Sequence, residues 1–330
     1  MNPVHTVSIV VPVYRGETCL EGLVGAIAPM INEVATPEGR RLRVSELLLV
    51  HDCGPDNSDE IVRALADKYD WIRPVWLSRN FGQHAETLAG MSSSGGDWVV
   101  TLDEDGQHDP TDLAAMLDVA MAEHADVVYG AQRNAPPHGF LRNRASRSAK
   151  RSLQWMTGID DAPRFNSFRL VLGEIARSVA AYAGSGVYLD VALNWVARRV
   201  ATCPVTLSEE TRPSGYGLRS LLSHYRRMVL TGGTRLLRVV SVTGVIFALL
   251  GFLFAIVLVG IRIGGDIPVA GWTSVMVVVL IGLGVTLFAL GIVAEYVGVA
   301  VNMALGKPLY LAVADRRTGP FGYDRERRPE

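Results

Sequence analysis

The sequence predicts an α/β domain built on a mostly parallel sheet, followed by a two-helix membrane hairpin. Three observations predict it. Short, continuous apolar runs alternate with helical stretches over the first 130 residues, the pattern of a parallel sheet covered on both faces. Each run ends in polar residues, and the carboxyl ends of strands are where ligands sit in such sheets. Two 23-residue stretches near the C-terminus, 239–261 and 272–294, hold no charged side chain.

Taken in order, residues 7–13 form a first strand and 17–34 a helix. Residues 47–50 make a second strand, and a helix over 57–69 follows with Asp56 as N-cap. A strand at 72–77, a helix at 81–91 and a strand at 98–102 come next. Pro110 precedes a helix over 111–123, and 126–129 is a further strand. The strand ends carry Pro12 and Tyr14; His51, Asp52 and Asp56; Ser78 to Gln83; Asp103 to Asp109; and Arg133.

The uncharged stretches are long enough to cross a hydrocarbon core of about 30 Å as helices. Their link, 262–271, is short and contains Gly264, Gly265 and Pro268, which makes a hairpin. Arg226, Arg227, Arg235 and Arg238 precede the first span; Lys307, Arg316 and Arg317 follow the second; the link has only Arg262. That bias predicts both chain ends in the cytoplasm. Neither span has an ionisable residue in its middle, so they read as an anchor rather than a transport path. Before them, Leu218, Leu221, Leu222, Tyr225 and Val229 recur at helical spacing beside a basic edge, the pattern of an interfacial helix. The expected organisation is a cytoplasmic α/β domain over 1–216, an interfacial helix over 217–238, the spans over 239–294 and a cytoplasmic juxtamembrane tail over 295–330.

The chain has 330 residues, 49% hydrophobic and 20% charged, which excludes a disordered or collagen-like polymer. Its net charge of −1 hides an asymmetry: residues 1–130 hold 8 basic and 21 acidic side chains, whereas 131–240 hold 17 and 6. An acidic first part beside a basic middle suits a cation in one and an anionic partner in the other. Cys19, Cys53 and Cys203 are far apart and odd in number, against a disulfide framework or a zinc site. The first 14 residues lack the basic start and long apolar run of a signal peptide.

Asp103 and Asp105 leave a buried strand two residues apart. Converging carboxylates repel unless a cation neutralises them, and Mg²⁺ or Mn²⁺ takes oxygen ligands while keeping positions open for substrate phosphates. Gln107 adds a neutral oxygen. A lone D-x-D is often a solvated turn; D-x-D-x-Q after a strand of an alternating sheet points to a site. Asp52 suits a base or ribose hydrogen bond, or a turn. No G-x-G-x-x-G or G-x-x-x-x-G-K-[ST] occurs, so neither a dinucleotide fingerprint nor a P-loop is present. Arg133, Arg142, Arg144, Arg147, Lys150, Arg151, Arg164, Arg169 and Arg212 suit phosphate, or a solvated face. With little aromatic interleaving, no nucleic-acid partner is expected.

Val10 to Tyr14, the Asp52 turn, Leu77 to Gly82, Asp97 to Gln107, Ser167 to Leu170, Arg212 with Gly215 and Tyr216, Ala294 to Gly298 and Gly306 to Tyr310, in this order, resemble glycosyltransferase family 2. The polyprenyl-phosphate members, of the dolichyl-phosphate mannose synthase and bacterial undecaprenyl-phosphate type, are the nearer pattern. The resemblance implies a GT-A fold and metal-dependent, inverting transfer of one sugar from a nucleotide-sugar to a lipid phosphate at the cytoplasmic membrane face. It implies that Pro12, Tyr14, Asp52 and Asn80 hold the nucleotide, with Asp103, Glu104 and Arg212 along the nucleotide-sugar. Asp105 and Gln107 would bind Mg²⁺ or Mn²⁺. Arg133, Arg142 and Arg169 would seat the lipid phosphate, and Asp103, Asp105 and Arg169 would carry the chemistry. Ser167 stands where many bacterial relatives have an aspartate, leaving it and Asp190 as candidate catalytic groups. An acceptor phosphate with a second pKa of about 6 is mostly dianionic at neutral pH and needs little help losing a proton. Related anchored proteins imply a homo-oligomer. Two other readings stay open, a processive polysaccharide synthase and a non-catalytic membrane adaptor; Q-x-x-R-W, expected of the first, is absent.

Overall fold

The computed structural model describes residues 3–132, 154, 165–184, 187–206, 229–230, 233–264, 271–306 and 308–317. Its sheet runs from β1 (Val4–Val13) outward in both directions. On one side lie β3 (Arg41–His51), β4 (Ile72–Leu77) and β9 (Ala312–Val313). On the other lie β5 (Trp98–Thr101), β7 (Arg169–Leu172), β6 (Val127–Gln132) and β8 (Val200–Val205), while the short β2 (Val34–Ala35) pairs with β3. The β5-β1-β3-β4 core and the β6–β8 pair are parallel; β7 runs antiparallel to both its neighbours. This is the mixed, mostly parallel sheet of the GT-A class.

The continuous apolar runs are explained by a sheet buried on both sides. In β1, Val7, Ile9, Val11 and Val13 enter one core, and Val10 enters the other. The first core is covered by α1 (Leu20–Ile27), α2 (Ser58–Lys68) and α4 (Asp112–Glu123) through residues such as Leu23, Val62 and Leu117. The second is covered by α3 (Gln83–Ser93), α5 (Gly173–Tyr182) and α6 (Leu189–Val196) through residues such as Leu88, Val179 and Leu193. Because side chains alternate faces along a strand, only a run apolar at every position fills both layers.

Three expected elements need redrawing, and one strand inside the sheet was not expected. The helix expected over 17–34 is only the two turns of α1 followed by a 3₁₀ turn, Ala28–Ile31, with Pro29 as its second residue. The second strand extends back to Arg41, where its exposed and buried residues alternate. The helix expected over 81–91 begins at Gln83, after a loop. The antiparallel β7 separates β5 from β6; the arginine that opens it conceals it from an apolar-run search.

Two long helices follow, α7 (Arg235–Gly264) and α8 (Trp272–Ala304). Their windows Arg235–Phe254 and Ile281–Ala304 have mean hydropathies of 2.3 and 1.9 and bury nothing against the domain, so both are long and apolar enough to cross a membrane. Of the expected interfacial helix at 218–229, only Val229 lies within the described residues. The segment expected to be a tail behaves otherwise: β9 adds antiparallel to β4, and the Ser78 amide donates to the Leu311 carbonyl at 3.0 Å. Arg63 clasps Asp315 through Nε and Nη2 at 2.6 and 2.8 Å, and Arg317 reaches Glu60 at 3.1 Å.

Candidate active site

The carboxyl ends of β1 and β5 and the segment that follows β4 meet around a cleft of about 470 Å³ lined by Pro12, Tyr14, Asn80, Gly82, Gln83, Glu86, Asp103, Glu104 and Asp105. A second cavity of about 250 Å³ adjoins it through Pro12, Gln83 and Asp103 and continues to Ser167, Arg169 and Asp190. Pro12, Tyr14, Asn80, Asp103, Glu104 and Asp105 are thus brought together as expected of one site.

Asp52 is not among the cleft-lining residues. It is fully buried, and its carboxylate accepts from the Phe81 amide at 2.8 Å and the Gly82 amide at 2.7 Å. Its role is to hold the loop between β4 and α3. Gly82 sits at φ +89°, a conformation that favours glycine, so its amide can turn toward Asp52. The turn after Asp52 is equally confined: a Cβ on Gly54 would lie 1.8 Å from the Tyr14 carbonyl oxygen.

Glu104 also turns inward. Its carboxylate accepts from the Tyr14 and Arg15 amides, each at 2.9 Å, tying the end of β1 to the loop after β5. It shapes the cleft by fixing Tyr14. Asp103 accepts from Gln83 Nε2 at 2.6 Å and from the Ser167 hydroxyl. Burial, reinforced by Asp105, pushes the Asp103 carboxyl above the usual range, against the pull of the Ser167 hydrogen bond. His108, which packs on Phe168 at 4.9 Å between ring centroids, is pushed down by burial.

Arg169 and Asp190 differ most from expectation. Both are buried and form an ion pair with each other. The Tyr129 hydroxyl donates to Asp190 at 2.9 Å, and Arg169 Nε donates to Thr101 Oγ1 at 3.1 Å. Burial pushes the Asp190 carboxyl above the usual range, against the pull of Arg169 and Tyr129, and the Arg169 charge is already compensated by it. Ser167, the other candidate catalytic group, is committed to Asp103. Arg133, Arg142 and Arg212, with Arg144, Arg147, Lys150, Arg151 and Arg164, lie outside the described residues.

Among the described residues no group of three or more His, Cys, Asp or Glu converges as a metal cage. The donor set at the cleft still fits a hard divalent cation that takes one or two carboxylates and leaves its other positions to water and substrate phosphate. Asp105 is half-buried at the cleft wall, and one of its oxygens accepts from the Gln107 amide at 3.1 Å, which brings Gln107 to the same turn. Sequence reasoning missed Glu86 and the Tyr129 contact. Glu86 lies three residues after Gln83, hence on the same face of α3, which is the signal that could have found it.

A family model described as "Glycosyl transferase family 2" matches residues 8–182, more than half of the chain. The chain belongs to glycosyltransferase family 2. The undecaprenyl-phosphate 4-deoxy-4-formamido-L-arabinose transferase of Sodalis glossinidius is 30% identical over 327 residues, covering 98% of each chain. That of Aeromonas hydrophila is 29% identical over 311 residues, covering 93% of each. Among solved structures, S. aureus TarS 1–349 with UDP-GlcNAc aligns over 69% of this chain and 66% of its own, at 15% identity and TM-score 0.47. Mycobacterium tuberculosis glucosyl-3-phosphoglycerate synthase with Mn²⁺ and UDP-glucose aligns over 69% and 77%, at 17% identity and TM-score 0.44. The family 2 match ends at Tyr182, so it spans every strand that lines the cleft. This chain is therefore a glycosyltransferase.

Proposed function

We propose that this glycosyltransferase moves one sugar from a nucleotide-sugar to undecaprenyl phosphate or a similar polyprenyl phosphate, at the cytoplasmic membrane face and with inversion. The observation that carries this reading is the acidic cleft of Asp103 and Asp105 on a chain that continues into two membrane-length helices. Relatives named as undecaprenyl-phosphate sugar transferases, matched over nearly their whole length, support it.

In this reading Pro12, Tyr14 and Asn80 line the nucleotide, and Asp52 acts by holding the Asn80–Gly82 loop. Asp103, kept in place by Gln83 and Ser167, faces the sugar. Asp105 and Gln107 would hold Mg²⁺ or Mn²⁺, which would supply charge neutralisation for the departing nucleoside diphosphate. A phosphate oxygen of the lipid attacks the anomeric carbon in line, the bond from that carbon to the diphosphate breaks, and the configuration inverts. The acceptor is mostly dianionic near neutral pH, so no dedicated base is required. The arginines at 133, 142 and 212 are assigned to phosphate, whereas Arg169 positions the β5–β7 junction through Asp190 and Thr101. Anchoring by α7 and α8 keeps the cleft at the surface where lipid phosphate lies.

The test is to incubate membranes holding the protein with a panel of nucleotide-sugars and undecaprenyl phosphate, then weigh the lipid product. A mass gain of one sugar is expected; a polymer would move the assignment to a processive synthase. Asp105→Ala should abolish transfer while thermal unfolding stays within a few degrees of wild type. Wild-type turnover in that variant would remove Asp105 from the site.

A further inference from the structure

The first turn of α3 carries a carboxyl group with no evident reason to be there. Glu86 is 3% exposed, and no donor reaches its Oε2. Its neighbour is the Asp52 carboxyl. Asp52 already accepts from the Phe81 and Gly82 amides, so it offers Glu86 only acceptor atoms. Two carboxyls in contact and away from water cannot both be ionised without a large repulsion, and two acceptors form no hydrogen bond unless one carries a proton. We infer that Glu86 is a neutral acid whose proton is shared with Asp52, and that this shared proton positions the Asn80–Gly82 loop along the nucleotide cleft.

The surroundings agree. The charged groups facing Glu86 are Asp52 from the turn after β3 and Glu104 from the loop after β5. Asp103 and Asp105 line the same cleft, Tyr14 comes from β1, and no cationic side chain is among its described lining residues. Burial first, then Asp52, pushes the Glu86 carboxyl up to about 9, with the Val13 amide of β1 pulling modestly the other way. Glu86 acts through Asp52, so it is a positioning residue. It links α3 to the turn after β3, and Asp52 passes the link to the Phe81 and Gly82 amides. Loss of the proton sets two negative charges against each other beneath that loop.

The full-length protein in detergent or lipid nanodiscs tests this without any ligand. At pH 7.5 the infrared spectrum should contain a neutral carboxylic-acid carbonyl band that is absent from Glu86→Gln. In wild type it should fade with a midpoint near pH 9, and in Asp52→Asn the midpoint should move down toward the ordinary carboxylate range. A band unchanged by Glu86→Gln would overturn the shared proton. The positioning half rests on the proposed function and is read separately. The KM for the active nucleotide-sugar should rise about tenfold between pH 7.5 and pH 10 in wild type and less than about twofold in Glu86→Gln, while Glu86→Ala raises it at every pH. An alkaline rise identical in Glu86→Gln would overturn that half. If no nucleotide-sugar serves as donor, the proposed function fails while the infrared band still reports on the proton.

Discussion

Arg169 is buried among apolar strands, and its charge is tolerable because Asp190 lies against it. Removing one partner leaves the other charged and dry, which typically costs about 3–5 kcal/mol. Asp190→Ala should therefore lower the unfolding free energy by about 3 kcal/mol or more, measured by denaturant or thermal unfolding. Arg169→Met with Asp190→Leu should recover much of that loss, since neither then leaves a charge stranded. Glu86 gives a pH-dependent counterpart. With its carboxyl raised to about 9, the folded chain holds a proton that the unfolded chain releases once pH exceeds its ordinary value of 4.5. Stability contributed by that proton is complete below about 4.5 and lost as pH rises toward 9. Glu86→Gln has no such dependence, so its melting temperature should exceed that of wild type by an amount that grows from pH 5 to pH 9. A constant offset would contradict this. Neither role was legible in the sequence. An arginine in a strand and a glutamate in a helix look like surface residues until tertiary contacts bury them, whereas Asp103 and Asp105 announced themselves by following an apolar strand directly.

At the scale of elements, what could be read was whatever is encoded locally. β1, β3, β4 and β5 are runs apolar enough to fill both cores, and each was visible. β7 and β8 were not: β7 opens on Arg169, and β8 is an edge strand in which the exposed Pro204 and half-buried positions break the run. β9 is two residues long and is defined only by its partner 235 positions earlier in the chain, a distance at which no periodicity carries information. Its ion pairs are testable. Arg63 holds the Asp315 carboxyl below its usual range, with the Arg317 amide adding to the effect. A depressed carboxylate contributes stability above its unfolded value of 3.8, and that contribution disappears as pH falls through its folded value. Asp315→Ala should cost about 1 kcal/mol at pH 7 and less as the pH falls below the ordinary carboxylate range, followed by thermal unfolding across that range.

For the whole molecule, the charge asymmetry of the sequence has a less simple meaning than a cation site facing an anion site. Much of the acidic first part is consumed internally. Glu46 binds the Ser8 hydroxyl and the Gly95 amide, Asp97 binds Thr6, Asp118 binds Thr36 and Arg40, and Asp52 and Glu104 hold loops. What remains to face a ligand is chiefly Asp103 and Asp105. The fold class, the hairpin and the position of the cleft followed from patterning, because burial on two faces and the thickness of a bilayer constrain sequence strongly. The residues that brace the cleft did not, because bracing depends on which loops meet. A chain ending at Gly306 keeps both long helices and loses β9 with its clasps. It should melt several degrees lower than the full chain, by about 2 kcal/mol, and a melt equal to wild type would show that the edge strand contributes nothing.

The return of residues 308–317 to β4 changes what the hairpin is in the architecture. The polypeptide leaves the soluble lobe, passes through α7 and α8, and comes back to be stitched into the same sheet, so the greasy pair is an insertion between two parts of one body rather than an appendage on a string. Two strands of chain lead from that body to the bilayer, and a domain moored twice loses the swivel that a single stalk would allow. Tilting of the pair in the membrane would then be felt directly at the carboxyl end of β4, where β9 pairs and from which the cleft-lining loop leaves.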